Sequence, residues 1–212
     1  PQDRSSAASD VYKRQGFTFL AGILSAMTNS ARAGDWPMWR YDAARSGASP
    51  SIMPQELHLN WWMRLPEPMP AWPASQPKLD FDRRYEPVAA GQFLLVGSTA
   101  SESVVALDTR TGERKWAFLA EGPIRFAPAI SGERVYVTSD DGHLYCLELA
   151  TGKKLWSRLG GPAQKQVIGN SRLISMWPCR GGVVVKDGVA YFAAGIWPVS
   201  YTHLRAHETS GY

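Results

Sequence analysis

The sequence predicts an all-β chain: a partial β-propeller of four-stranded antiparallel blades, about two full blades with partial blades on either side. Three observations carry this. "ALDTRTGERKW" (Ala106–Trp116) returns forty positions later as "CLELATGKKLW" (Cys146–Trp156). Each copy follows a Pro-led apolar stretch, a Gly turn at Gly91 or Gly132, and a β-branched or aromatic run, "FLLV" or "VYV". Each copy also closes on a Trp. Four short strands punctuated by turns, repeating at about forty residues, form the blade of a propeller.

Taken in chain order, residues 1–15 and 200–212 share nothing with the periodic middle and read as a non-native leader and tail. Lys13 and Arg14, the apolar run "GFTFLAGILSAM" (Gly16–Met27) and Ala31-Arg32-Ala33 predict a signal peptide over residues 16–33. The run is too short to span a bilayer, so no membrane span is expected. Export would place the propeller region, 34–199, in the periplasm or outside the cell.

Within that region, "LHLNWWMRL" (Leu57–Leu65) alternates and carries Trp61 and Trp62, like the closing strand of an earlier blade. The Pro-rich stretch from Pro66 to Pro87 reads as a stiff surface connection that leaves Trp72 open to a partner. In the two whole copies, Gly112 and Gly152 sit where a tight turn needs positive φ. Asp108, and more crudely Glu148, end the third strand where a carboxylate accepts turn N–H groups. Trp116 and Trp156 fall on the fourth strand and are expected to cover the seam to the next blade. A blade cannot bury both faces of its sheet alone, so such docking must recur. After the second copy, "GGVVVKDGVAYFAAG" (Gly181–Gly195) repeats the first two strands around an Asp187-Gly188 hairpin turn. Further blades of the same propeller are expected to cover the exposed flanks.

Composition narrows the function. The chain has 212 residues, 44% hydrophobic and 20% charged, enough for a folded core. Its formal charge of +4 falls between Gly34 and Val199 to 18 Lys/Arg against 16 Asp/Glu. No basic run there exceeds two residues, so no nucleic-acid partner is expected. His203 and His207 stand four apart with Glu208 adjacent, which is not the His-Glu-x-x-His order of a zinc helix. His58 and His143 lack a second ligand at metal spacing, and no metal site is predicted.

The module Ala-x-Asp-x-x-Thr-Gly-x-x-x-Trp at Ala106, Asp108, Thr111, Gly112 and Trp116 resembles the repeat of pyrroloquinoline-quinone (PQQ)-like propellers. The second copy keeps Thr151, Gly152 and Trp156. The opening "GDWPMWRYDAARSGAS" (Gly34–Ser49) is similar to the segment that leads into bacterial quinoprotein-like propellers. The resemblance implies three functions: a binding or scaffolding module, part of a PQQ- and calcium-dependent alcohol or sugar dehydrogenase, or a scaffold for outer-membrane protein assembly. The dehydrogenase would hold PQQ over the propeller axis with calcium on a Glu, an Asn and an Asp, beneath a vicinal disulfide. Cys146 and Cys179 are not adjacent, Asp140-Asp141-Gly142 reads as a hairpin turn, and Asn170 and Glu102 lie in no motif. A binding module without catalytic residues or cofactor is therefore the reading favoured for this fragment. Whether Cys146 and Cys179 pair does not follow from their spacing.

Four residues stand out as ligand contacts. "VIGNSRLISMWPCRGG" (Val167–Gly182) is a long insertion where the preceding blade has only "AEGPIRFAP". Long loops on a rigid scaffold often bind. Its Arg172, Trp177 and Arg180 suit a carboxylate, a sugar or an aromatic ring; the plainer reading is a Trp capping apolar surface beside solvated arginines. Arg125, at the start of an inner strand, either faces the central channel or pairs with a neighbouring blade. Protein, glycan and small-molecule ligands all remain open.

Overall fold

The structure is a computed structural model and describes residues 34–76 and 81–195, with the strand pairing of 203–208. The leader and signal-peptide expectations lie outside the described residues. Thirteen strands and no helix are found among the described residues.

The first whole copy forms one antiparallel sheet in chain order: β1 (Val88–Ala90), β2 (Phe93–Ser98), β3 (Ser103–Asp108) and β4 (Arg114–Leu119). The second forms another: β5 (Ala129–Ser131), β6 (Arg134–Thr138), β7 (His143–Glu148) and β8 (Lys154–Leu159). A two-residue hairpin with positive φ at Asp187 and Gly188 joins β11 (Val184–Lys186) to β12 (Val189–Ala194). β13 (His203–Glu208) pairs along the whole of β12, so part of the tail occupies the third-strand place of this sheet. The insertion contributes a separate hairpin, β9 (Gln166–Gly169) with β10 (Arg172–Ser175). Short first strands lie side by side, β1 by β5 and β5 by β11, which fans the three sheets about their inner edges.

Side-chain alternation divides the core. On β7, Tyr145 and Leu147 join Val88, Leu95, Val104 and Trp116 between the first and second sheets. Leu144 and Cys146 point to the other face and meet Val183, Val185, Ala190 and Phe192 of the third. Period-two geometry thus gives the second blade two buried faces. Both cysteines are buried free thiols, and burial pushes the Cys146 pKa up to about 11.

The repeated turn works as the sequence predicts. Asp108 Oδ1 accepts the amides of Arg110 and Thr111 at 2.8 and 3.2 Å. Gly112 and Gly152 adopt φ of 74° and 71°. A Cβ at Gly152 would stand 2.4 Å from the Trp116 ring, and one at Gly112 2.7 Å from the Trp61 ring. The Trp116 indole N–H also donates to Leu149 O at 2.8 Å. Each indole therefore lies flat on the Thr-Gly turn of the following blade, against backbone that only glycine leaves bare. Trp156 is half-buried and packs against Tyr136, ring centroids 6.1 Å apart.

The opening segment stitches the inner edges. Trp36 exchanges backbone hydrogen bonds with Ala89 of β1, and Ile130 of β5 donates to Pro37 O at 2.7 Å. Arg45 lies 4.6 Å over the Trp39 ring and donates to Gly182 O, just before β11.

Candidate functional site

Antiparallel order sends alternate connections to opposite ends of the sheets. The Thr-Gly turns share one end. At the other lie the β2–β3 and β6–β7 turns, the 120–128 connection, the insertion and the segment before β1. Three of the four singled-out residues make ionic or ring contacts at this loop end, and Trp177 packs beside them.

Its centre is Asp140. The β6–β7 turn places it 1% exposed, its amide bonded to Pro123 O and its carbonyl accepting from Ser175 N. Arg180 grips the carboxylate with two donors, Nε to Oδ1 at 3.0 Å and Nη2 to Oδ2 at 2.9 Å. Arg125 Nε adds a third bond to Oδ2 at 2.6 Å. Arg125 also donates through Nη1 to Met69 O at 2.9 Å and to Asp82 Oδ2. Asp82 is itself buried and accepts the Ala71 amide at 2.9 Å. Arg180 lies 5.9 Å over the Trp72 ring. Two guanidinium groups thus neutralise two buried carboxylates, the condition for charges to stay charged away from water. Arg125 is ion-paired rather than open to the channel, but its partners are Asp140 of the blade it leads into and Asp82 of the Pro-rich stretch, not a neighbouring blade.

The Pro-rich stretch corrects its sequence reading. Rather than only crossing the surface, it buries Ala71 and Asp82 and half-buries Trp72 under Arg180. Asp82, lost among "DFDRR", had no signal of its own: nothing in a local pattern says that a linker carboxylate meets an arginine 43 positions away. Asp140 looked like a turn residue, and it is one, but it is also the hub.

Arg172 points the hairpin back across the first blade, donating to Thr99 O at 2.9 Å and Glu102 Oε1 at 2.6 Å. Asn170 reaches Pro70 O at 2.8 Å. Between this hairpin and the Pro-rich stretch lies a pocket of about 170 Å3 lined by Glu67, Pro68, Met69, Pro70, Asn170 and Arg172. Trp177 covers Gly161, where a Cβ would meet its ring carbon at 2.7 Å. It packs beside the second core, as the plainer reading expects, but the arginines of that reading are not solvated: Arg180 and Arg172 are largely buried in ion pairs.

A second cluster hangs from Asp141. Its Oδ1 faces the His143 ring at 3.2 Å and its Oδ2 accepts the Tyr145 hydroxyl at 2.7 Å and the Glu121 amide at 3.1 Å. Burial opposes the Asp141 charge, but the His143 and Tyr145 bonds outweigh it and hold its pKa below the usual value. The same bond raises the His143 pKa.

Calcium takes six to eight oxygens converging at one point. Both Asp140 oxygens are held by guanidinium groups, and Asp82 Oδ2 by Arg125 and the Ala71 amide. Only Asp82 Oδ1 is a buried side-chain oxygen without a partner among the described residues. One oxygen does not make a calcium site, and the two cysteines are separate core thiols rather than a vicinal pair. The described residues do not fit a quinone and calcium pair.

The 1-butanol dehydrogenase (cytochrome c) of Thauera butanivorans is 28% identical over 204 residues, 86% of this chain and 26% of that protein. Quinohemoprotein alcohol dehydrogenase from Comamonas testosteroni superposes with a TM-score of 0.58 at 23% identity, over 86% of this chain and 26% of its own. A europium-containing methanol dehydrogenase superposes at 0.54 with 15% identity, over 82% and 30%. This chain spans about a quarter of the length of the first two, and the structural likenesses speak to fold alone. A family described as outer membrane protein assembly factor BamB matches residues 37–193. With its paired four-stranded blades and repeated Thr-Gly-Trp module, the chain belongs to this PQQ-like repeat propeller family.

Proposed function

We propose that this propeller region is an exported binding or scaffolding module that performs no quinone chemistry with its own residues. One observation carries the reading: Asp140, the carboxylate at the centre of the loop end, has both oxygens committed to Arg125 and Arg180. Guanidinium donors on both oxygens compete with a metal ion or a proton for the same lone pairs, which favours a structural role for this carboxylate. The loop end instead offers contact surface, with Ile168 and Leu173 paired across the β9–β10 hairpin and exposed. The hairpin is braced by Arg172, so the surface is pre-formed, which lowers the ordering cost of binding. Its ligand is a protein, a glycan or a small molecule. Export rests on the apolar run Gly16–Met27 and Ala31-Arg32-Ala33; no described helix is long and apolar enough to cross a membrane.

A second reading, part of a PQQ- and calcium-dependent alcohol dehydrogenase, is favoured by the 28% identity to the butanol enzyme. A scaffold for outer-membrane proteins is favoured by the family match. Titrating the chain with PQQ, with and without calcium, tests the reading. No saturable heat and no dye reduction with butanol are expected. Calcium-dependent quinone binding lost in Asp140→Asn would overturn it.

A further inference from the structure

The pocket between the β9–β10 hairpin and the Pro-rich stretch has few free donors. One wall is Pro68-Met69-Pro70. Neither proline has an N–H, and the Met69 amide is bonded to Thr99 Oγ1 at 2.8 Å. The facing wall is Asn170 and Arg172. Asn170 Nδ2 donates to Pro70 O at 2.8 Å. Arg172 gives Nη1 to Thr99 O and Glu102 Oε1, and Nη2 to Met69 Sδ at 2.7 Å.

Acceptors and one negative charge remain. Asn170 donates through its nitrogen to a carbonyl, so its Oδ1 is the end without a partner among the described residues. Glu67 lines the pocket and makes no side-chain hydrogen bond or ion pair among the described residues. Glu102 balances the Arg172 charge at 2.6 Å, and Asp82, Arg125, Asp140 and Arg180 balance one another. The unbalanced charge of the lining is therefore the Glu67 carboxylate. Such a site suits a cation that donates hydrogen bonds. No aromatic ring lines the pocket, which disfavours a quaternary ammonium, whose head needs π faces. A primary ammonium presents three donors on a compact head. The proline rings and the Met69 thioether offer an apolar trough for a short chain. The volume of about 170 Å3 is the space of about five or six waters at ~30 Å3 each, room for the head and a few carbons.

We infer that this pocket binds a small primary alkylammonium ion, its head held by Glu67 and Asn170 Oδ1 and its chain lying against Pro68, Met69 and Pro70. The inference rests on the binding-module reading and names the class of ligand that the module takes. The walls are fixed before anything binds. Met69 O accepts from Arg125 at 2.9 Å, and the Tyr85 hydroxyl donates to Pro66 O at 2.6 Å. Little ordering cost then opposes so small a ligand.

Titrating the 212-residue chain with butylammonium chloride at about pH 7, where an alkylamine carries its proton, tests this. Saturable shifts of the Asn170 side-chain amide and Met69 methyl resonances are expected, with a Kd of about 1 mM. Sodium butyrate, 1-butanol and tetramethylammonium should each bind at least about tenfold more weakly. Glu67→Gln should weaken butylammonium about tenfold and leave the melting temperature unchanged. Glu113→Gln removes an exposed carboxylate at the turn end and should leave the affinity as it is. Absence of saturable shifts, equal binding of butyrate or butanol, or equal effects of the two glutamines would overturn the inference. A lysine-bearing peptide that binds where butylammonium does not, and is lost in Leu173→Ser, also overturns it and names a protein partner. No arm contains quinone or calcium, so failure here removes the ammonium site alone, whereas calcium-dependent quinone binding removes the module reading.

Discussion

The two ends of the blades are held by different physics. At the turn end, a glycine, a threonine and an indole recur, and each contact is local to one blade and the next. At the loop end, four charged side chains from four separated segments, Asp82, Arg125, Asp140 and Arg180, neutralise one another out of water. The first device is shown at two successive turns, Trp61 on Gly112 and Trp116 on Gly152, so the loss of either is confined to one seam. The second occurs once among the described residues, where its members have no substitute. The contrast says that this propeller is tiled at one end and keyed at the other.

The hardest test of that contrast is Arg125→Met. It leaves Asp82 without its cation and Asp140 with only Arg180, and is expected to cost about 3–5 kcal/mol in chemical denaturation. Adding Asp82→Asn and Asp140→Asn should restore part of that loss, which a purely packing role for Arg125 would not allow. Next is the turn end: Gly152→Ala forces a side chain into positive φ and into the Trp116 ring, at an expected cost of about 2–4 kcal/mol. Gly132→Ala shares the positive φ but meets open space, and should cost about 1 kcal/mol. If the two alanines are equal, the indole contact contributes nothing. Trp116→Phe keeps an aromatic ring but loses the donor to Leu149 O and part of the buried indole, and should cost about 1–3 kcal/mol in thermal melts.

The smallest effects separate the ends by pH. Lys115, with the Arg110 and Thr111 amides, lowers the Asp108 pKa to about 2. A depressed carboxylate stabilises above its unfolded value near 4 and ceases to do so as pH falls toward 2. Thermal melts of Asp108→Asn should therefore be flatter than the parent between about pH 4 and 2. At the loop end the His143 pKa is raised, first by its bond to Asp141. That contribution is complete below about pH 6.5 and fades as pH rises through the folded value. His143→Gln should remove this slope and also weaken the acid limb, because Asp141 loses one of the bonds that hold its pKa down.

The same contrast explains what could be read before the fold was known. Gly112, Gly152, Trp116 and Trp156 write their geometry in residue type and spacing, because backbone curvature and ring size are local demands. Arg125 and Arg180 stood out only as charges in unusual places, and their partner was hidden. Asp140 carries the ordinary signature of a turn, and Asp82 lies in a Pro-rich stretch whose composition reads as linker. Pairings of this kind depend on which segments the closed fold brings together, and no periodicity records that. The Pro66–Pro87 stretch was misjudged for the same reason: proline content reports stiffness, not what a stiff segment is laid against.

The opening segment bears on how such a chain is made. Its hydrogen bonds to β1 and β5 lie within reach soon after synthesis, but Arg45 meets its acceptor at Gly182, 137 residues later. Until the third sheet emerges, that guanidinium and the Trp39 surface beneath it wait without their final neighbour. Long-range contacts of this span slow folding and prolong the life of incomplete states. The nascent protein thus carries this fastener for 137 residues of synthesis before the backbone it clips onto has been made.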